Sequence, residues 1–476
     1  MSLFKQSVLV SGSRLGDKLL SLVTILVLSR HFGVEGLGEF NYFFSVANLF
    51  APIMNLSVGM ILLQRWHALD EYGRRRLVTQ LLALKVMTGI LACAAGMAGD
   101  AFNHWNHALN RPNPWAVSAA MGTLLLEQMA SLMRRPMHAR GEVWLEAVLP
   151  LLCRLGQLAL LYIFLNRLSN GFQVIYIYTA ISVVELAVST MGLRGCAPVS
   201  LGGTRWVEWW EIVKNGAPFA VSSTFIMASL HFDSVILGRY SYTEVGAYTA
   251  ATRIIMAVNV LNGGVCHALF PKLMKAKADH DPGHAGWLLN GTLRGFLIVF
   301  GGITIGSVAV GQQLIPALYG DKFSDSGLIF CLLSPLILLS ALYSLFGQSL
   351  EIMGEQSRVM RIYALGAIVN VAGNIVLIPI YGMYGSAIAT LVSTALTTVI
   401  LFATLQKNEH LSMTVHGIGR ALVFLLLLIV LYAPLYWLRV WVAIPVGAVI
   451  FVLLLWLARG YWLKGMGKLS GEINHG

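Results

Sequence analysis

Apolar residues run along this chain in blocks of about twenty, separated by short polar breaks, from one end to the other. A hydrocarbon layer about 30 Å thick takes about 20 helical residues to cross, so each block reads as a membrane-spanning helix. About fourteen fit, near 8–30, 39–63, 77–99, 114–133, 144–165, 172–193, 214–238, 246–270, 286–310, 326–350, 359–380, 384–405, 417–438 and 440–462. The pattern predicts an all-α polytopic membrane protein.

Composition strengthens that reading. Of 476 residues 57% are apolar and 12% charged, against about 25% charged in soluble domains, which excludes a water-soluble enzyme. The formal charge of +11 comes from 33 Lys and Arg against 22 Asp and Glu. These cations sit between apolar blocks without interleaved aromatics, so nucleic acid is not the expected partner. They sort instead by side: with the N-terminus inside, the outer loops keep only Arg30, Arg111, Arg167, Arg239, Lys322 and Arg439, as the positive-inside rule requires. Both termini are then cytoplasmic, and Arg74–Arg76 anchors to anionic headgroups. The N-terminal residues carry no cleavable signal pattern and are read as retained. The five cysteines are scattered and give no disulfide framework, and His104 and His107 in an outer loop lack a supporting carboxylate. No metal and no cofactor are expected, and no phosphate loop or nucleophile elbow is visible.

Two links resemble one another. The first, LSRHFGVEGLGEFNYFF, and the seventh, LGRYSYTEVGAYTAA, each carry Leu-x-Arg, a polar turn, then Gly-x-aromatic opening the next helix: Arg30, Gly38 and Phe40 against Arg239, Gly246 and Tyr248. An offset of about 209 residues is about six spans. It predicts two six-helix lobes around a central cavity plus two C-terminal helices: an N-lobe at 1–200, a C-lobe at 201–408 and accessory spans at 409–476.

The stretches FDSVILGRYSYTEVGAYTAATRI (232–254), ALFPKL (268–273), IPALYGDKFSDSG (315–327) and IPIYGMYGSAIATLVST (378–394), with LVLSRHFGVEGLGEF near the N-terminus, resemble the polysaccharide flippases of the multidrug/oligosaccharidyl-lipid/polysaccharide exporter superfamily, the Wzx-type O-antigen and capsule translocases. The resemblance covers nearly the whole chain. It implies transport, without catalysis, of an undecaprenyl-pyrophosphate-linked glycan across the bacterial inner membrane, by alternating access. It also implies membrane lipid as a partner, coupling to H+ or Na+, and company with a polysaccharide polymerase and a chain-length regulator.

Ionisable groups at bilayer depth cost about 2.5–3.5 kcal/mol each unless paired or hydrated. Depth counted along the spans matches Lys85 with Glu127, Arg154 with Glu185, and Asp233 with Arg253, three prospective ion pairs between neighbouring helices. Arg14, Asp17 and Lys18 share one face of the first span, and Arg294 has no match. A pyrophosphate and acidic sugars call for fixed cations, and a guanidinium engages two oxygens at once. Arg14, Lys18, Arg294 and Arg253, with Arg154, are therefore the expected substrate-binding residues. Asp17, Glu127, Glu185 and Asp233 are candidates for ion coupling, or with Lys85 for internal ion pairs. Snorkelling of Arg14 and Lys18 to headgroups competes with the first role. Pro52, Pro150, Pro218, Pro335 and Pro434, and Gly12 and Gly16, are candidate hinges. A cation-coupled multidrug or lipid II-type exporter of the same superfamily is the alternative reading. The multidrug form would favour a carboxylate-rich, arginine-poor lumen. A polysaccharide polymerase or ligase would need a large outer loop.

Overall fold

The structure, a computed structural model, describes residues 3–55, 58–66, 69–104, 115–139, 144–194, 206–408 and 418–473. Every regular element among them is helical: α1 (Leu3–Asn55), α2 (Val58–Trp66), α3 (Glu71–His104), α4 (Trp115–Ala139), α5 (Trp144–Phe164), α6 (Val174–Arg194), α7 (Trp206–Tyr240), α8 (Tyr242–Ala278), α9 (Pro282–Tyr319), α10 (Ser324–Leu333), α11 (Pro335–Ile352), α12 (Gln356–Gln406), α13 (Ile418–Tyr432) and α14 (Val440–Ile473), with four short 3-10 turns between some of them. Ten described helices are long and apolar enough to cross a membrane. The protein is a multi-pass membrane protein with the helical architecture that the sequence pattern predicts.

Spans and helices do not correspond one to one. α1 holds the first span and most of the second, which runs on into α2, and α12 holds the eleventh and twelfth; α1 and α12 are each two helices joined at a glycine, Gly33 (φ 71°) and Gly382 (φ 55°). Span ten is cut into α10 and α11 at Pro335, whose missing N–H costs nothing in a first helical turn. Ser334 there donates back to the Phe330 carbonyl at 2.7 Å. Of the other candidate hinges, Pro52 and Pro150 lie inside α1 and α5. Pro434 lies in the 3-10 turn after α13, and the side chain of Pro218 is outside the described residues.

The distribution of polarity is that of a body dissolved in lipid. Ile90, Leu91, Tyr162, Val430 and Trp456 stand exposed, while Lys85, Glu185, Asp233 and Asn374 are buried. By contacts the chain forms two units, residues 1–261 with 355–400, and residues 262–354 with 401–476. In the first, α1 packs on α3, α4, α5 and α7, and α4 lies along α6. In the second, α9 is the spine, with α10, α11, α13 and α14 against it. Gly301 and Gly302 of α9 admit Leu425 and Phe451, and Tyr432 ties α13 to α14 by donating to the Gly447 carbonyl at 2.8 Å. The second unit's helix ends are tied as well: Lys277 Nζ donates to the Ile352 carbonyl (2.7 Å) and Gln313 Nε2 to the Tyr436 carbonyl (2.8 Å).

Gly382 is held to glycine twice, by its positive φ and by the Glu244 carboxylate lying where a Cβ would go. Gly382→Ala should therefore destabilise the protein by about 1–3 kcal/mol. Gly122→Ala in α4, with nothing within 4 Å of the new methyl, should be neutral or stabilise by about 0.5–1 kcal/mol. Thermal melting in detergent micelles reads both, and equal melting of the two variants would contradict the assignment.

Candidate functional site

In the first unit, polar side chains collect on faces that helical periodicity brings together. Glu127 and Arg134 stand two turns apart on α4, as do Tyr178 and Glu185 on α6, with Ser189 a turn further. α4 lies along α6, and α1 packs on α5, so two ion pairs close between these helices. Arg134 Nη1 donates to Glu185 Oε1 at 2.8 Å and to Ser189 Oγ at 2.9 Å. Arg154 of α5 donates through Nε to Asp17 Oδ1 of α1 at 2.9 Å and through Nη1 to Gln157 at 2.9 Å. Its guanidinium carbon lies 5.6 Å from the centroid of the Tyr178 ring, a cation–π distance. The charges acting on Glu127 are Arg154 first, then Glu185, Asp17 and Arg134.

The two pairs differ in access. Arg134 and Glu185 keep 6% and 8% of their side-chain surface, Arg154 and Asp17 28% and 30%. The first is a closed clasp between α4 and α6. The second leaves donors and acceptors for a third party.

A further polar group joins α1, α7, α8 and both halves of α12. Arg253 Nη2 donates to Asn41 Oδ1 at 3.0 Å, and Asn41 Nδ2 lies 3.4 Å from the hydroxyls of Ser45 and Ser234. His231 lies in the field of Arg253. Asp233 is buried and accepts from the Ser234 N–H at 2.6 Å and from the Tyr248 hydroxyl. Tyr248 also meets Thr390 Oγ1 at 3.3 Å. Asn370 donates to Thr390 and Ser393, each at 3.2 Å, and accepts from Asn374 at 3.1 Å. Asn374 Oδ1 is buried with no hydrogen-bond partner among the described residues. Hydrogen bonds thus link Asp233, Tyr248, Thr390, Asn370 and Asn374 in one chain across α7, α8 and α12. No group of three or more His, Cys, Asp or Glu that could hold a metal ion occurs among the described residues.

The structure exchanges the partners expected from depth alone. Lys85, almost fully buried, lies 3.4 Å from Gln128 Oε1 rather than on Glu127. Gln128 is one residue, hence about 100° of helix rotation, further round α4. Arg154 takes Asp17, Glu185 takes Arg134, and Arg253 takes Asn41 in place of Asp233. Depth fixes height, whereas the facing direction chooses the partner. Lys18 is exposed on α1; Arg14 lies in the same helix with its side chain outside the described residues, as do His107 and the side chain of His104. Arg294 is partly buried on α9, in the second unit.

The span boundary at 133 leaves Arg134 just outside the fourth span, at its inner end, whereas the structure turns it inward to Glu185; depth alone likewise gives no role to Asn41, Tyr178 or the Asn370–Asn374 pair. A signal existed: Arg134 repeats the phase of Glu127 at seven residues, while Arg135 turns to Glu146 at 3.3 Å. Asn370 and Asn374 form a one-turn polar stripe in an apolar span.

Breaking the clasp tests its coupling. Arg134→Met or Glu185→Gln alone should cost about 3–5 kcal/mol, by stranding a buried partner, and the double variant clearly less than the sum. Additive losses in micelle melting would show that the pair is not coupled.

Residues 3–277 match a family described as polysaccharide biosynthesis protein. The chain is 27% identical over 327 residues to the probable flippase AglR of Haloferax volcanii, covering 65% of this chain and 63% of that protein. It is 20% identical over 169 residues to the probable low-salt glycan biosynthesis flippase Agl15 of the same organism, 35% of this chain and 36% of that one. Each match thus spans less than two thirds of the relative. Among solved structures, the lipid II flippase MurJ in an inward closed conformation superposes with a TM-score of 0.79 at 12% identity, covering 95% of this chain and 99% of that one. An inward-facing multidrug resistance MATE family transporter of the MOP superfamily gives 0.64 at 13% identity, covering 82% and 93%. At such identities the likeness is one of fold.

Proposed function

The chain belongs to the polysaccharide biosynthesis protein family, and on that premise we propose that it is a flippase for an undecaprenyl-pyrophosphate-linked oligosaccharide repeat unit. It carries that unit from the cytoplasmic to the periplasmic leaflet of the bacterial inner membrane, for O-antigen, capsule or exopolysaccharide synthesis. Both termini are cytoplasmic in this reading, residues 1–200 and 201–408 act as the two lobes, and residues 409–476 are accessory. A polymerase and a chain-length regulator would take up the product. The family match carries the proposal. The flippase names of both curated relatives support it. The fold is common to lipid II and multidrug exporters, so cargo is decided by side chains.

Arg154 is the side chain that fits best. A guanidinium and carboxylate pair with over a quarter of its surface exposed, on α1 and α5 within the spans, would be costly against acyl chains and stable against water or an anionic headgroup. Its remaining N–H groups can donate to phosphate oxygens as the cargo competes with Asp17. Arg253, which donates to Asn41, is proposed as a second such contact, and Arg14, Lys18 and Arg294 complete the proposed cation set. Asp233, buried and linked through Tyr248, Thr390 and Asn370 to Asn374, is the proposed carboxylate for H+ or Na+ coupling, ahead of Asp17, Glu127 and Glu185, which share the arginines of the ion-pair network.

The test is leaflet-resolved mass spectrometry of undecaprenyl-linked intermediates after gene deletion, with complementation by variants. Loss of the gene should leave the repeat unit on the cytoplasmic leaflet. Arg154→Ala should lower polymer output on the order of tenfold or more, the size of one charge-assisted hydrogen bond at about 1.5–3 kcal/mol, with Arg154→Lys intermediate. Asp233→Asn should abolish dependence on the ion gradient while glycan binding persists. Wild-type output from Arg154→Ala at equal expression would overturn the cation assignment, and unchanged intermediates on deletion would overturn the cargo.

A further inference from the structure

The two links that resemble one another in sequence touch in the structure, and we propose that their contact is a latch which holds one end of the transport path shut. A Cβ built on Gly38 would run into the Tyr242 carbonyl oxygen and lie 2.9 Å from the Gly246 nitrogen; one built on Gly246 would run into the Val34 carbonyl oxygen and lie 3.1 Å from the Gly38 nitrogen. The contact is reciprocal: positions 34 and 38 of one link meet 246 and 242 of the other, as equal surfaces do across a two-fold axis. Neither glycine has a positive φ. Each therefore costs about 0.5–1 kcal/mol of helix stability relative to alanine without needing glycine's backbone freedom. What needs glycine is the approach of one main chain to another, the means by which helices associate in hydrocarbon.

Each link is also pinned within its own half. Glu39 accepts from the N–H groups of Gly171 and Phe172, just before α6, and Gly171 backs onto Gly36. Glu244 accepts from the Met383 N–H at 2.8 Å, just past the Gly382 bend. These carboxylate bonds to backbone donors at helix starts are strong. They make two rigid pairs, the first link with the fifth and the seventh with the eleventh. Between the pairs the joint is van der Waals contact, Tyr42 against Gly238 and against the Tyr242 ring at 5.4 Å, together with the bonds of Asn41 to Ser234 and Arg253. Opening of the path at that end parts the two pairs at this joint, and it breaks the bond of Arg253 to Asn41 where an anionic cargo would pass.

The inference rests on the transport reading, but its test uses no glycan, so the two can fail separately. In a variant lacking the five native cysteines, Ser45→Cys places a buried thiol beside Asn41, and alkylation by a membrane-impermeant maleimide reports opening. The outer side is defined by labelling of Ser169→Cys, an exposed residue of the fifth link. Gly38→Ala and Gly246→Ala should each raise the labelling rate of the Ser45→Cys thiol at least about tenfold from that side, equivalent to about 1.4 kcal/mol of lost closure. Asn41→Ala, which adds no atom, should raise it in the same direction, and serves where the alanine variants fail to accumulate as monodisperse protein. Labelling unchanged from the parent in folded Gly38→Ala, or in Asn41→Ala, would overturn the latch.

Discussion

Hydrocarbon offers nothing to hydrogen-bond, and the rest of this molecule follows from that constraint. Each backbone donor and acceptor must be satisfied within the protein, which is why every regular element described is helical. The bend at Gly382 obeys the same constraint: the first N–H beyond it is taken by Glu244. Side chains follow suit. Thr24, Thr123, Thr224, Thr252 and Thr304 each donate to a carbonyl one turn back in their own helix, so hydroxyls enter the spans without needing a neighbour.

Charges cannot use that local solution, and they divide the first unit's interior into two kinds of site. Where burial is nearly complete, as for Arg134 and Glu185 with Ser189, partners saturate each other and the product is a helix clasp. Where it is incomplete, as for Arg154 and Asp17, part of each polar group stays uncovered by the neighbouring helices. The same residue types thus form a closed clasp or a partly open pair according to how much of their surface the neighbouring helices cover. Lys85 stands apart: almost fully buried, its ammonium meets a neutral amide, Gln128, at 3.4 Å, and the charge of Arg135 acts on it as well.

Spans were legible in the sequence because hydropathy is one-dimensional and its energy accumulates over about twenty residues. The pairings were not, because a partner is chosen by azimuth. A shift from Glu127 to Gln128 changes nothing in depth and turns the side chain by about 100°, which moves it from the Arg154 side to Lys85. Arg134 was misplaced for a related reason: next to Arg135 it reads as a rim cation, and only its seven-residue spacing from Glu127 betrays the inward face. The glycines of the paired links were legible as a repeat, but their function as contact surfaces was not, since a missing side chain announces no partner.

The contacts between links also bear on the count of spans, independently of where lysine and arginine fall. Links that touch must lie at the same end of their helices, and opposite ends of a span are about 30 Å apart. Tyr42, just past the first link, donates to Asp100 near the end of the third span at 2.7 Å; the first link meets the fifth and the seventh, and the seventh meets the eleventh. All are links from an odd span to an even one. In the second unit Lys277, in the link after the eighth span, bonds to Ile352 in the link after the tenth, and Gln313, near the end of the ninth, bonds to Tyr436 at the end of the thirteenth. A single helix wrongly added or lost between any two of these positions would place the bonded atoms on opposite sides of the membrane.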